Sequence, residues 1–251
     1  MMFLSSVLAA SFVFTYGFFL FFDPMYMLIV ALPAALFAGI AQAKVKTAYA
    51  RAMRQPARMT GAEAARYMLD SSGLQDVRIE MVRGHLSDHY DPRSRVLRLS
   101  PDVYGRNTLA SVGIAAHEAG HALQHAKKYA PLALRQFAAP AATVGPGIGM
   151  VLIILGMIFS ATGVLFGQMF ITLGLAFFSV IVFFQVVTLP VEFNASTRAK
   201  VRLAELGVVS EQEMPYVRGV LNAAALTYVA AAFQAIMMLL YLVMRFSGGR
   251  D

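Results

Sequence analysis

Long apolar runs alternate with two polar stretches along the chain. Runs free of charged residues occupy positions 3–22, 25–43, 138–167, 168–189 and 221–244. Each run is long enough to cross about 30 Å of hydrocarbon as an α-helix. The pattern predicts a mainly α membrane protein with about five transmembrane helices: a hairpin at 1–43, a pair at 137–189, and a final helix and tail at 221–251.

The first polar stretch, residues 44–136, has the mixed periodicity of a small α+β domain. Residues 60–73 begin with the Thr-x-x-Glu spacing of a capping box and end at a glycine, which predicts a helix. Residues 77–82 and 95–100 alternate like strands, and the polar residues 84–92 between them predict a loop.

The second polar stretch, residues 190–220, predicts a cytoplasmic helix that follows the paired spans. Pro190 fits the first turn of this helix, Thr188 could cap it, and Gly207 could end it. The expected helix therefore starts anew at residue 191 rather than continuing the preceding span.

Composition and charge support a membrane location. Only 14% of residues are charged and mean hydropathy is +0.62, whereas soluble domains carry about 25% charged residues. The net charge of +7 could suggest nucleic acid, but the Lys and Arg residues fall mainly in the two polar stretches. Because cytoplasmic loops are enriched in Lys and Arg, we expect no nucleic-acid partner. We expect a multi-pass membrane protein with both stretches facing the cytoplasm.

The motif His117-Glu118-Ala119-Gly120-His121 carries the chemistry. On a helix, residues four apart share one face, so His117 and His121 can bind one zinc ion. Glu118 is then placed to accept a proton from a zinc-bound water. The chain has no cysteine, so any zinc site must use histidine and carboxylate ligands.

A catalytic zinc has three protein ligands, and several residues could be the third. The candidates are His85, His89, His125 and the few carboxylates. Glu192 is favoured because it follows the paired spans, although a glutamate at a helix N-terminus is also stabilised by the helix dipole. Ser196 lies one turn after Glu192 and could hydrogen-bond a ligand.

Three further residues could take part in the reaction. His89, Tyr90 and His125 could each donate a hydrogen bond to the oxyanion of a tetrahedral intermediate. Alternatively, His125 is a solvated residue, and residues 88–91 form a turn held by aspartate side chains. Residues 96–99 could be an edge strand that binds an extended peptide, or an ordinary core strand.

These motifs together resemble the YugP-type neutral zinc metallopeptidases of bacterial membranes. The resemblance rests on the zinc-motif helix, on residues 88–92 and 96–100, and on the Glu192–Ser196 segment, and it spans residues 44–206 with the flanking spans. The layout is also similar to the HtpX and Ste24 membrane proteases, whose zinc-ligand glutamate follows a pair of transmembrane helices. The resemblance implies a zincin-like catalytic domain with Glu192 as the third ligand. The wider relatives carry an aspartate where this chain has Ser196, and the first and last spans are peripheral to the match.

We therefore predict a zinc-dependent endopeptidase embedded in the membrane, with one zinc ion and Glu118 as general base. Its expected partners are protein or peptide substrates, membrane proteins among them, and the lipid bilayer; the oligomeric state stays open. One alternative is a non-catalytic zinc-binding membrane protein acting in quality control or as a scaffold, in which Glu118 has no use. Another is a protease with zinc inside the bilayer, but residues 107–126 are too polar for a good span.

Overall fold

The computed structural model describes residues 23–247, which form seven helices and a small sheet. The helices are α1 (Pro24–Met53), α2 (Gly61–Asp70), α3 (Pro101–Gly105), α4 (Leu109–Ala126), α5 (Ala130–Ala161), α6 (Gly167–Glu205) and α7 (Met214–Ser247). The strands are β1 (Arg78–Met81), β2 (His89–Asp91) and β3 (Val96–Leu99). Four of the helices, α1, α5, α6 and α7, are long and apolar enough to cross a membrane.

The predicted span at residues 3–22 lies outside the described residues. Helix α1 contains the second predicted span and begins at Asp23, whose carboxylate accepts hydrogen bonds from the first turn. A π-helical turn occupies Met27–Ala31. The helix then continues ten residues beyond the predicted boundary at residue 43, because the basic segment that follows contains no proline or glycine before Gln55.

The sheet has three strands in the order β1-β3-β2. Strand β3 pairs in parallel with β1 and antiparallel with β2. The prediction of a loop over residues 84–92 was wrong at its end, since His89–Asp91 forms β2; three residues are too short to show an alternating pattern. The edge-strand interpretation of residues 96–99 was also wrong, because β3 is central and buried on most of its length.

Helix α4 lies at the centre of the catalytic region. Thr108 caps it by accepting a hydrogen bond from Ser111 N, and every residue from Leu109 to Gln124 is buried. Helices α2, α6 and α7 and the sheet pack around it. The apolar residues of α4 belong to the larger of the two hydrophobic cores within residues 23–247. Full burial of one Val, Leu or Ile side chain stabilises the fold by about 1.5–3 kcal/mol.

Helices α5 and α6 form an antiparallel hairpin whose turn, residues 162–166, lies slightly before the predicted boundary between the apolar runs 138–167 and 168–189. The interpretation of Pro190 as a helix start was wrong, because α6 runs without a break from Gly167 to Glu205 with this proline inside it. Thr188 does not cap a new helix; its hydroxyl donates to Phe184 O one turn back. Packing against α4, α5 and α7 keeps the helix continuous where the local signal predicts an end.

Candidate metal centre and active site

Helices α4 and α6 cross in backbone contact where the candidate ligands lie. A Cβ atom placed on Gly120 would lie 2.6 Å from Ala195 O, so only glycine permits this approach. The contact brings the His117–His121 face of α4 against the turn of α6 that carries Glu192. His117 and His121 are thereby brought next to Glu192, which lies about seventy positions later in the chain.

The geometry of the three side chains fits one zinc ion. His117 Nε2 lies 3.2 Å and His121 Nε2 lies 3.7 Å from Glu192 Oε2. Ligand atoms at about 2.0–2.1 Å from a tetrahedral zinc are about 3.3 Å apart. All three residues are at most 5% exposed, and a buried cluster of two imidazoles and a carboxylate is a group that could hold a metal ion.

The second nitrogen of each imidazole is already engaged. His117 Nδ1 lies 3.1 Å from Ser196 Oγ, and His121 Nδ1 lies 3.0 Å from Gln124 Oε1. In the tautomer in which Nδ1 donates these bonds, each Nε2 lone pair points to the centre of the cluster. Gln124 in turn donates to Val191 O at 2.8 Å, which ties its orientation to α6.

Two residues that the sequence did not indicate lie beside Glu192. Arg135 of α5 is buried, and its Nη1 donates to Glu192 Oε1 at 2.7 Å. Tyr228 of α7 is also buried next to the Glu192 carboxylate. Arg135 had no motif around it, and Tyr228 sat in a span regarded as peripheral. A charged residue adjoining an apolar run was the one available signal for Arg135.

Glu118 lies between the metal cluster and the sheet. It is 2% exposed, and its Oε2 accepts a hydrogen bond from Tyr90 N at 3.1 Å. This amide belongs to β2, and because it donates to Glu118 it points away from the ladder with β3. The open edge of β2 therefore faces the general-base candidate.

Burial and nearby charges shift the pKa values of His117 and Asp88. Burial disfavours the imidazolium of His117, but the carboxylates of Glu192 and Glu118 outweigh it and raise the pKa of this histidine. Burial also raises the pKa of the Asp88 carboxyl, with Glu118 adding to the effect, although Ser100 N and Oγ donate to that carboxyl. Metal binding at His117 must displace a proton, so it is favoured by rising pH.

The other predicted candidates make their side-chain contacts outside the three-residue cluster. Tyr90 Oη is 2.9 Å from His125 Nδ1, which joins these two side chains to each other. His89 Nδ1 lies 2.8 Å from Ser87 O. His85 is exposed and its Nδ1 lies 3.6 Å from an Asp102 oxygen. None of these three histidines is in the cluster that could hold a metal.

Comparison with known proteins assigns the class. The chain matches, over residues 26–247, the model of a family described as "Putative neutral zinc metallopeptidase". It is a member of that family and a zinc metallopeptidase.

A curated relative is similar along most of its length. The chain is 46% identical over 213 residues to "Putative membrane protease YugP" of Bacillus subtilis (strain 168), which covers 84% of this chain and 92% of the relative. No solved structure gives a significant match. The family match includes α7, so the view of the last span as peripheral was wrong, in keeping with the position of Tyr228.

Proposed function

We propose that this zinc metallopeptidase is an endopeptidase that cuts peptide bonds at the cytoplasmic surface of the bacterial inner membrane. The observation that carries the proposal is the convergence of His117, His121 and Glu192 within one buried cluster whose donor atoms all lie within 4.8 Å of one another. The zincin-like character of the domain follows from the same helix, with the general base one residue after the first ligand.

The three ligands are His117 Nε2, His121 Nε2 and Glu192 Oε2. A zinc ion held there supplies a Lewis acid and lowers the pKa of water at the metal to about 7. Arg135 holds the second oxygen of Glu192, so the carboxylate presents one oxygen to the metal. Ser196 and Gln124 fix the orientation of the two imidazoles.

Glu118 moves the protons of the reaction. Its carboxylate accepts a proton from the attacking water and later donates one to the leaving amine. The hydrogen bond from Tyr90 N holds one carboxylate oxygen and leaves the other to face the water. Because the side chain is 2% exposed, bulk solvent does not compete for that proton.

The open edge of β2 supports binding of an extended peptide. In the described sheet β2 pairs with β3 on one side. Tyr90 N on its other edge already donates to Glu118, so an added strand would pair with the remaining backbone groups of that edge. A peptide laid along this edge passes beside Glu118. His125 and Tyr90, which contact each other, are the candidates for the hydrogen bond to the oxyanion, with His89 on the same strand.

The membrane-surface location rests on charge and on the position of α4. The Lys and Arg residues cluster in the stretches 44–136 and 190–221, and loops rich in these residues stay in the cytoplasm. Helix α4 is not among the four candidate spans within residues 23–247. The metal cluster belongs to α4 and to the half of α6 that follows its apolar part, which supports a site just outside the hydrocarbon.

The test compares zinc content and peptidase activity in the purified wild-type protein and two variants. Glu118→Gln should keep one zinc but lose activity by about 10²–10⁴-fold, because only the general base is removed. Glu192→Ala should lose most of the zinc. Glu205→Ala, on the same helix in an exposed ion pair with Arg202, is the matched control and should change neither quantity.

Two results would contradict the proposal. Full zinc in Glu192→Ala would move the third ligand elsewhere, with His89 and His125 the next to change. Activity retained in Glu118→Gln would remove the general-base role while leaving the metal site standing.

A further inference from the structure

A groove distinct from the metal cluster opens between α1 and α7, with a volume of about 1030 Å³. Its α1 wall is one face of the helix, because the lining residues recur at intervals of three or four. They are Ile40, Ala43, Lys44, Thr47, Ala48 and Arg51. This segment is the place where the apolar run of α1 gives way to basic residues, so the groove lies at a boundary between apolar and polar surroundings.

On the α7 side, the floor of the groove has open space at a glycine. Gly219 lies there, and a Cβ atom added to it would meet no atom within 4 Å. Farther along, the two helices come together at the ring contact between Phe37 and Phe233, with centroids 5.6 Å apart. The groove therefore lies between this ring contact and the basic end of α1.

The charge of the groove is of one sign. Lys44 and Arg51 line it, and none of its lining residues is acidic. Across residues 23–247, neither cation has a carboxylate within ion-pair distance. A third cation, Lys200, donates to the lining residue Asn222 at 3.3 Å. Two cations seven positions apart on a helix project from the same side.

The apolar end of the groove continues onto a membrane-facing surface. Ile40 is 55% exposed, and Leu36 one turn earlier is 59% exposed. An occupant of the whole groove needs an anionic group at the end near Arg51 and a flexible apolar chain at the end near Ile40. Phospholipids combine these parts, and basic pockets between transmembrane helices bind anionic headgroups.

We propose that this groove binds an anionic phospholipid. The headgroup phosphate lies between Lys44 and Arg51, with Thr47 and Asn222 as hydrogen-bonding neighbours. An acyl chain runs past Ile40 along the exposed face of α1. The lipid would join α1 to α7, the helix that also carries Tyr228 beside the metal cluster.

Native mass spectrometry of the purified full chain tests the proposal. The protein is titrated with phosphatidylglycerol and, separately, with phosphatidylcholine of the same chain length. We expect wild type to prefer phosphatidylglycerol and Lys44→Gln/Arg51→Gln to bind it about 30-fold more weakly, from two lost cations. Arg83→Gln/Arg93→Gln removes two exposed cations outside the groove and is the control of equal charge; it should bind like wild type.

A second variant separates the groove from general charge. Gly219→Leu keeps both cations, fills the open floor and replaces a helix-weakening residue with a good helix former, so it should fold and still lose the preference. Equal affinity of wild type for the two lipids would overturn the proposal. So would control-like binding by Lys44→Gln/Arg51→Gln, or wild-type binding by Gly219→Leu. Displacement of phosphatidylglycerol by inorganic phosphate alone would show a phosphate site rather than a lipid site and would also overturn it.

Discussion

The α4–α6 crossing and the α5–α6 hairpin both depend on glycine for close backbone contact, but their surroundings differ. At the first, Gly120 allows contact with Ala195 O. At the second, Gly149 and Gly174 face each other, and a Cβ on either would lie 2.6–2.7 Å from the carbonyl oxygen of the other. Protein encloses the first contact, whereas the hairpin leaves large apolar side chains exposed on its outer side.

The difference lies in what the close approach achieves. Near Gly120 several buried side chains are polar, and hydrogen bonds connect them across α4 and α6. Arg135 adds an ion pair from α5 to Glu192 of α6. The core of the membrane bundle is apolar except for a few groups such as Tyr26 and Tyr241. Close packing in the bundle provides van der Waals contact, and the same packing at the site sets the distances between metal ligands.

The largest effect is expected from breaking the buried ion pair that joins the two regions. Arg135→Gln leaves the Glu192 carboxylate without its guanidinium partner, which costs about 3–5 kcal/mol in the metal-free protein. Zinc brings two positive charges to the same carboxylate and should offset much of this loss. Thermal unfolding should show a larger rise in Tm on adding zinc for the variant than for wild type.

The control for Arg135 is Arg202→Gln, which breaks a partly exposed ion pair with Glu205 and a hydrogen bond to Ser72 Oγ. Such an ion pair is worth less than about 1 kcal/mol. It should leave the response to zinc at the wild-type value. An equal zinc-induced rise in Tm for Arg135→Gln and wild type would mean that the guanidinium does not balance the ligand charge.

A pair of glycine substitutions compares the two crossings directly. Gly120→Ala should push α6 from α4, displace Glu192 and lower activity about 100-fold, as a misplacement of about 1 Å can do. Gly149→Ala produces a similar clash away from the site, so it should cost about 1–3 kcal/mol of stability with zinc content unchanged. The measurements are peptidase activity, zinc content and Tm for each variant.

Gly39→Ala is the control for both glycines, because its Cβ would meet nothing within 4 Å. We expect wild-type behaviour from it. If Gly149→Ala lost zinc as readily as Gly120→Ala, the two crossings would have to be treated as one coupled unit.

The smallest effect comes from two serines of the same helix. Ser196→Ala removes the hydroxyl next to His117 Nδ1 and should weaken zinc affinity about tenfold. Ser179→Ala removes a hydroxyl that donates only to Ala176 O within the helix and should have no effect on affinity. Competition with a zinc chelator measures the zinc affinity of both variants. Equal affinities would show that the hydroxyl of Ser196 does not orient the imidazole.

Sequence patterns were informative where the cause is local. An apolar run of about twenty residues predicts a membrane-crossing helix whatever its neighbours are, and four of the predicted spans correspond to long apolar helices. The spacing of His117 and His121 puts both on one helical face by geometry alone. The capping residues Thr60 and Thr108 each accept a hydrogen bond from the backbone amide three positions away.

Local patterns failed where distant segments meet. Pro190 predicts a helix start only if the helix stands alone, and packing keeps α6 continuous through it. Strand β2 exists because His89–Asp91 pairs with β3, and no periodicity can show in three residues. Arg135 and Tyr228 belong to no sequence motif, because their partner Glu192 is on a different helix from both. Arg135 lies 57 positions from Glu192 in the chain.

The sequence by itself thus determined the class of chain, the helix that carries the zinc motif and the residue type able to act as base. Each of these depends on composition or on spacing within one turn of helix. Only the tertiary structure decided which side chains surround Glu192, which strand edge faces Glu118 and where Lys44 and Arg51 open onto a groove. Those features depend on how closely two helices approach, and at Gly120 that approach is set by the absence of a single Cβ atom.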